Sequence, residues 1–189
     1  MTGIGVIGTG DIAPRYLAGI AAAKHLRLVG IGRRNEAASI DRAAALAARF
    51  GSAAMDVDGL LASPEIDVIV NLSAPLDHAT ITRAALRAGK HVYSEKPLAA
   101  SVDEAAALVA LAADLGLVLS VAPATPLGPL QQQARGIVDS GVLGAVAGAS
   151  ATLVYPGPDK WHHNPAALFG AAAGPLFDIL GFKIGRAHV

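Results

Sequence analysis

Ile4-Gly5-Val6-Ile7-Gly8-Thr9-Gly10-Asp11-Ile12-Ala13 is the stretch on which the reading of this chain turns. The short apolar run Ile4–Ile7 ends in glycine and reads as a buried strand. A helical stretch follows over residues 12–23, with Asp11 placed as its N-cap. Between them stand Gly8, Thr9, Gly10, Asp11, Ile12 and Ala13, the spacing of a dinucleotide fingerprint. The first glycine permits a tight turn. The second lets the backbone approach a pyrophosphate resting on the positive end of the helix, and the last position needs only a small residue for helix–strand packing. A bare glycine motif is weak. Its place between a strand and a helix gives it weight.

Moving outward, strand and helix alternate. Strands are predicted over 26–31, 53–55, 67–72, 91–93 and 117–121. Helices are predicted over 36–50, 77–88 and 102–115, with a helical turn over 57–61. Asp56 and Ser101 are the expected N-caps, and Gly89 and Gly116 the expected stops. Such alternation predicts an α/β fold, a doubly wound parallel sheet with helices on both faces, over residues 1–121. Beyond Ala122 the texture changes. Pro123, Pro126 and Pro129 punctuate a loop, a helix is predicted over 130–140, and a long strand over 145–155. Residues 122–182 read as the incomplete start of an α+β substrate domain.

Composition narrows the function classes. The 189 residues carry a formal net charge of zero and no cysteine. Neither nucleic acid nor an anionic membrane is recruited by bulk charge, and disulfides and thiolate metal sites are excluded. Apolar runs are too short for a membrane span, and no signal peptide is read. The expected compartment is the cytoplasm. The adjacent pair His162-His163 is poor metal geometry, so no metal is expected.

Two further places carry chemistry. About 20 residues past the glycines, an NAD enzyme offers a carboxylate to the ribose hydroxyls. Here Arg33-Arg34 stand instead. A guanidinium binds a 2′-phosphate in bidentate fashion and stacks on adenine, so NADP is the expected cofactor and NAD the alternative. Ser94-Glu95-Lys96-Pro97 follows the fifth strand directly, and ligands of open parallel sheets bind at the carboxyl ends of strands. His78, opening the helix after the fourth strand, is placed either to face the cofactor or to cap.

Together with the glycine motif, Asn71-Leu72-Ser73-Ala74-Pro75 with His78, and Gly89-Lys90-His91-Val92-Tyr93-Ser94-Glu95-Lys96-Pro97, closely resemble the Gfo/Idh/MocA oxidoreductase family. The resemblance runs to about Leu180. It implies a Rossmann domain followed by an α/β domain with a large open sheet, through which the full-length protein would form a homo-oligomer. It also implies hydride transfer between NAD(P) and a small-molecule sugar, cyclitol or related polyol. Gly8, Thr9, Gly10, Asp11, Ile12, Arg33, Arg34, Ser73, Pro75, His78, Glu95 and Lys96 would line the cofactor. Lys96 would hold the substrate hydroxyl and help move its proton, while Glu95 would help place the nicotinamide. Asp178 and His162 would stand on the substrate side.

The chain departs from the family pattern in places. Phe182 stands where a His or Tyr partner of Asp178 belongs, and Ala124 replaces a polar residue. Ile184-Gly185-Arg186-Ala187-His188-Val189 matches the in-frame translation of a common sequencing adapter, so residues 183–189 are read as a non-native tail and the chain as a truncated member. The alternatives to an active oxidoreductase are a non-catalytic NAD(P)-binding sensor and an inactive gene fragment.

Overall fold

Strand β1, Thr2–Ile7, lies inside a six-stranded parallel sheet, because its side chains find apolar partners on both faces. The computed structural model describes residues 1–33, 37–148, 150 and 152. Its first unit, Met1–Val121, alternates β1, α1 (Ala13–Ala22), β2 (Leu26–Arg33), α2 (Ala37–Phe50), β3 (Ala53–Asp56) and α3 (Val57–Ala62). β4 (Val68–Asn71), α4 (His78–Arg87), β5 (His91–Ser94), α5 (Val102–Asp114) and β6 (Leu119–Val121) complete it. The strand order is β3-β2-β1-β4-β5-β6. The chain thus builds outward from β1 to β3, then crosses back to the other side of β1 to lay down β4. That reversal opens a crevice between the ends of β1 and β4, where open parallel sheets bind ligands.

Alternation along each strand assigns the two cores. Ile4 and Val6 of β1, Ile31 of β2 and Val70 of β4 pack with Leu17 and Ile20 of α1 and with Ala43, Leu46 and Ala47 of α2. Ile7 and Ile69 point to the other face, where they join Leu60 of α3, Ala85 and Leu86 of α4, Val92 of β5 and Ala112 of α5. A strand covered on both faces reads as a continuous apolar run, and Val68-Ile69-Val70 does so. The expected caps are formed. Asp56 accepts from the Gly59 N–H at 2.7 Å, and Ser101 from the Glu104 N–H at 3.2 Å. Gly89 and Gly116 end α4 and α5 with φ of +75° and +66°, backbone that L side chains rarely adopt.

The second unit, from Ala122 on, holds a 3-10 turn at Thr125–Leu127, with Ala124 as its N-cap residue, and α6, Pro129–Asp139. Gln132 of α6 donates to the Pro126 carbonyl at 2.6 Å. The long strand expected over 145–155 needs correction. Residues 145–148, 150 and 152 are not in a strand, and the rest of that span lies outside the described residues. Apolar alternation favours extended backbone, but a strand exists only where a neighbour completes its hydrogen bonds, and none among the described residues does. Among the described residues no helix is long and apolar enough to cross a membrane, and no group of three or more His, Cys, Asp or Glu could hold a metal ion.

Candidate cofactor site at the carboxyl edge of the sheet

Parallel pairing sets four strand ends in one row. Gly32 of β2 is the register partner of Ile7 of β1, Ile7 that of Asn71 of β4, and Asn71 that of Ser94 of β5. The residues singled out from sequence follow this row: Gly8 directly after Ile7, Arg33 after Gly32 and Glu95-Lys96 after Ser94, with Ser73 two residues after Asn71. Segments far apart in the chain thus meet along one edge.

The turn after β1 is shaped by what its glycines lack. Gly8 has φ of +115°, and a Cβ there would run into the Leu72 carbonyl, so the loop after β4 presses directly on the glycine. Gly10 differs: a Cβ added to it would meet nothing within 4 Å. The open space beside Gly10 is where a pyrophosphate would have to approach. Ala13 is fully buried and packs in the core under α1, as the last position of the motif requires. Asp11 is not the N-cap. The helix is entered through Ile12, and no side chain caps it. The reason is local: the Ala13 N–H is taken by the Gly10 carbonyl at 3.0 Å, so a backbone turn closes the entry. The start of α1 carries the positive end of the helix dipole.

The loop after β4 is ordered from within. Asn71 is completely buried. Its Nδ2 donates to the His78 carbonyl at 3.0 Å and to Thr82 Oγ1 at 3.2 Å. Its Oδ1 accepts from the Ser73 N–H at 3.2 Å and the Ser73 hydroxyl at 2.7 Å. Both donors and both acceptor positions of the carboxamide are used. Pro75 lies half-buried in the turn that follows.

His78 is 1% exposed. Its Nδ1 lies 2.7 Å from the Pro97 carbonyl and its Nε2 2.9 Å from the Ser73 carbonyl. The ring therefore sits under the edge, between the loops after β4 and β5, rather than at the surface of the crevice.

Glu95-Lys96-Pro97 is held from several sides. The Glu95 N–H donates to the Asn71 carbonyl at 2.9 Å, continuing the ladder one residue past β5. Glu95 Oε2 accepts from the Lys96 N–H at 3.0 Å, while Oε1 accepts from the Tyr16 hydroxyl at 2.6 Å. The Lys96–Pro97 peptide is cis. Tyr16, on α1, was not singled out from sequence. Its ring leans on that of Tyr93 with centroids 5.9 Å apart. Burial, and next the bond to Glu95, hold its hydroxyl well above the ordinary tyrosine range. A helix tyrosine and a loop glutamate 79 residues apart give no sequence signal of their pairing.

Thr9 and Gly10 are half-buried and Asp11 and Ile12 exposed at the same turn, and Lys96 is half-buried. Arg33 closes β2 opposite Asp56 of β3; its side chain lies outside the described residues, as do Arg34, His162, Asp178, Phe182 and the tail.

A profile of the oxidoreductase family with NAD-binding Rossmann fold matches residues 2–123. The chain belongs to the Gfo/Idh/MocA oxidoreductase family. Among its relatives is a dTDP-3,4-didehydro-2,6-dideoxy-alpha-D-glucose 3-reductase of Streptomyces violaceoruber, 38% identical over 81% of this chain and 44% of the relative. A D-xylose 1-dehydrogenase (NADP(+)) of Haloferax volcanii is 34% identical over 82% of this chain and 47% of the relative. The crystal structure of KijD10, a 3-ketoreductase from Actinomadura kijaniata in complex with NADP, superposes with a TM-score of 0.68 at 33% identity. That match covers 76% of this chain and 45% of the other. The chain thus spans about half the length of these family members.

Proposed function

We propose that the carboxyl edge of this sheet binds NADP(H), and that the whole protein moves hydride between it and a sugar or related polyol. The observation that carries this is the row of strand ends. It sets the end of β2 at Arg33, the glycine turn after β1 and the Glu-Lys-Pro loop after β5 along one edge, the order in which a dinucleotide would cross them. The pyrophosphate would lie beside Gly10, over the start of α1. The adenosine 2′-phosphate would meet Arg33 and Arg34 at the end of β2. Ser73, Pro75 and Glu95-Lys96 would line the path to the nicotinamide. When bound, the cofactor supplies the hydride chemistry. Lys96 would hold the substrate oxygen and carry its proton, and Glu95 would fix the lysine's backbone through its amide. The relatives' names, a keto-sugar reductase and an NADP-linked xylose dehydrogenase, favour a sugar substrate.

Titration of NADPH and NADH fluorescence tests this reading. NADPH is expected to bind at least tenfold more tightly, about 1.4 kcal/mol, and Arg33→Asp to erase or reverse the preference. Equal affinities in the parent chain would remove the NADP assignment, and absence of binding to either would remove the cofactor site.

A further inference from the structure

Two residues of α4 belong to its buried stripe although both are polar. His78, Ala79, Thr82, Ala85 and Leu86 are the buried positions of that helix. Thr82 is accounted for by Asn71. His78 places a ring nitrogen on each of two backbone carbonyls, Ser73 at one end and Pro97 at the other. Carbonyl oxygens only accept. A bond to the Pro97 oxygen therefore requires a proton on Nδ1, and one to the Ser73 oxygen a proton on Nε2. A buried ring without such partners would be costly, so its burial between two acceptors is a specific arrangement.

The two carbonyls lie in the two loops that flank the crevice on the β4 and β5 side. Proline fixes its own φ near −65°, so holding the Pro97 carbonyl restrains the ring and, across one peptide bond, Lys96. On the other flank, Tyr16 holds the Glu95 carboxylate and Asn71 the Glu95 amide.

We propose that His78 is a positioning residue: its ring ties the loop after β4 to the carbonyl of Pro97 and so holds Lys96 in place against the nicotinamide. The part about the nicotinamide rests on the cofactor reading above; the tie between the two loops does not.

The ring offers two substitutions that separate its bonds. An asparagine side chain sets its amide about where Nδ1 lies, and a glutamine about where Nε2 lies. His78→Asn keeps a donor for Pro97, and His78→Gln one for Ser73. Amide hydrogen exchange on the full 189-residue chain reads the loops without any ligand. Exchange at Glu95 and Lys96 should rise by about tenfold or more in His78→Gln and stay near the parent rate in His78→Asn. At Ser73 and Leu76 the two variants should swap. The parent chain should also show ring protons on both Nδ1 and Nε2 in nitrogen-resolved NMR, a measurement that does not depend on either variant folding. Equal exchange in the two variants, or a ring nitrogen that bears no proton, would overturn the tie.

Binding reads the nicotinamide end. NADPH and 2′-phospho-ADP-ribose, which lacks the nicotinamide, should both be titrated. The advantage of NADPH over the shorter ligand should shrink by about tenfold in His78→Gln and persist in His78→Asn, a tenfold change being about 1.4 kcal/mol. Both ligands weakening alike would overturn the role toward the nicotinamide and leave a merely structural histidine. A parent chain that bound neither ligand would overturn the cofactor reading together with that role, while the exchange and NMR results would still decide the tie.

Discussion

The turn after β1 and the paired loops after β4 and β5 sit side by side on one sheet edge, yet they are built on opposite principles. The glycine turn is a backbone device. Its shape follows from absent side chains: Gly8 lets the Leu72 carbonyl come close, Gly10 leaves open space, and no side chain caps α1. The other two loops are a side-chain device, held by Asn71, His78, Tyr16 and Glu95. A pyrophosphate is the same in every dinucleotide and can be read by backbone N–H groups and a dipole. A lysine in the role proposed for Lys96 must be held by groups that cannot easily move, which calls for a satisfied polar network.

Substitutions can break or sharpen this contrast. The largest effect is expected from Gly8→Ala. A left-handed non-glycine residue costs about 1–3 kcal/mol, and pushing the Leu72 carbonyl aside adds about 1–3 kcal/mol more. Thermal denaturation should show the loss, and a variant as stable as the parent would mean that the two loops do not press on each other. Next comes Asn71→Ala. It removes the four bonds that the carboxamide makes to the His78 carbonyl, Thr82 and Ser73, at about 0.5–1.5 kcal/mol for each, and denaturant titration should find this loss with little change in slope.

Gly10→Ala is the sharpest contrast with Gly8→Ala. Its Cβ meets nothing, so the stability of the free chain should hold. NADPH should nonetheless bind about tenfold or more weakly, about 1.4 kcal/mol, because the methyl occupies the space beside the turn. Unchanged NADPH affinity would take the pyrophosphate away from Gly10.

The smallest effect is Tyr16→Phe, about 1 kcal/mol for one hydrogen bond. Its pH dependence has a definite sign. The hydroxyl's pKa is raised in the folded chain above its ordinary 10.0. Its contribution is therefore fully present below pH 10 and is lost as pH climbs beyond it. The gap in stability between parent and variant should accordingly narrow in that range. A gap that widened there would contradict the buried, protonated hydroxyl.

Much of the first unit was legible in the sequence for reasons that are local. Val68-Ile69-Val70 needed only its composition to read as a doubly covered strand. Asp56 and Ser101 needed only their spacing to a helix start. Local reading went wrong where a neighbour decided the outcome. Asp11 looked like a cap, but the Gly10 carbonyl had already taken the Ala13 N–H. Residues 145–148 looked like the start of a strand, but apolar residues supply no partner.

The site divides the same way. Gly8, Gly10 and Ala13 stand out in the sequence because a glycine turn between strand and helix is written in residues close together in the chain. So are Glu95 and Lys96, through a motif that travels as one piece. Tyr16 was illegible because its meaning is a contact with Glu95 across the sheet edge. His78 was visible as a residue but not as a role, since facing the cofactor, capping the helix and bridging two loops are all open to a histidine at a helix start.

By itself, then, the sequence determined the element order, the two covered faces and the glycine turn, because periodicity, capping and φ preferences act over a few residues. The tertiary structure alone decided which strand ends align, that Asn71 is filled from four sides, and that His78 spans Ser73 and Pro97. Register between strands and the burial of a polar side chain depend on groups that only the closed sheet brings within hydrogen-bonding distance.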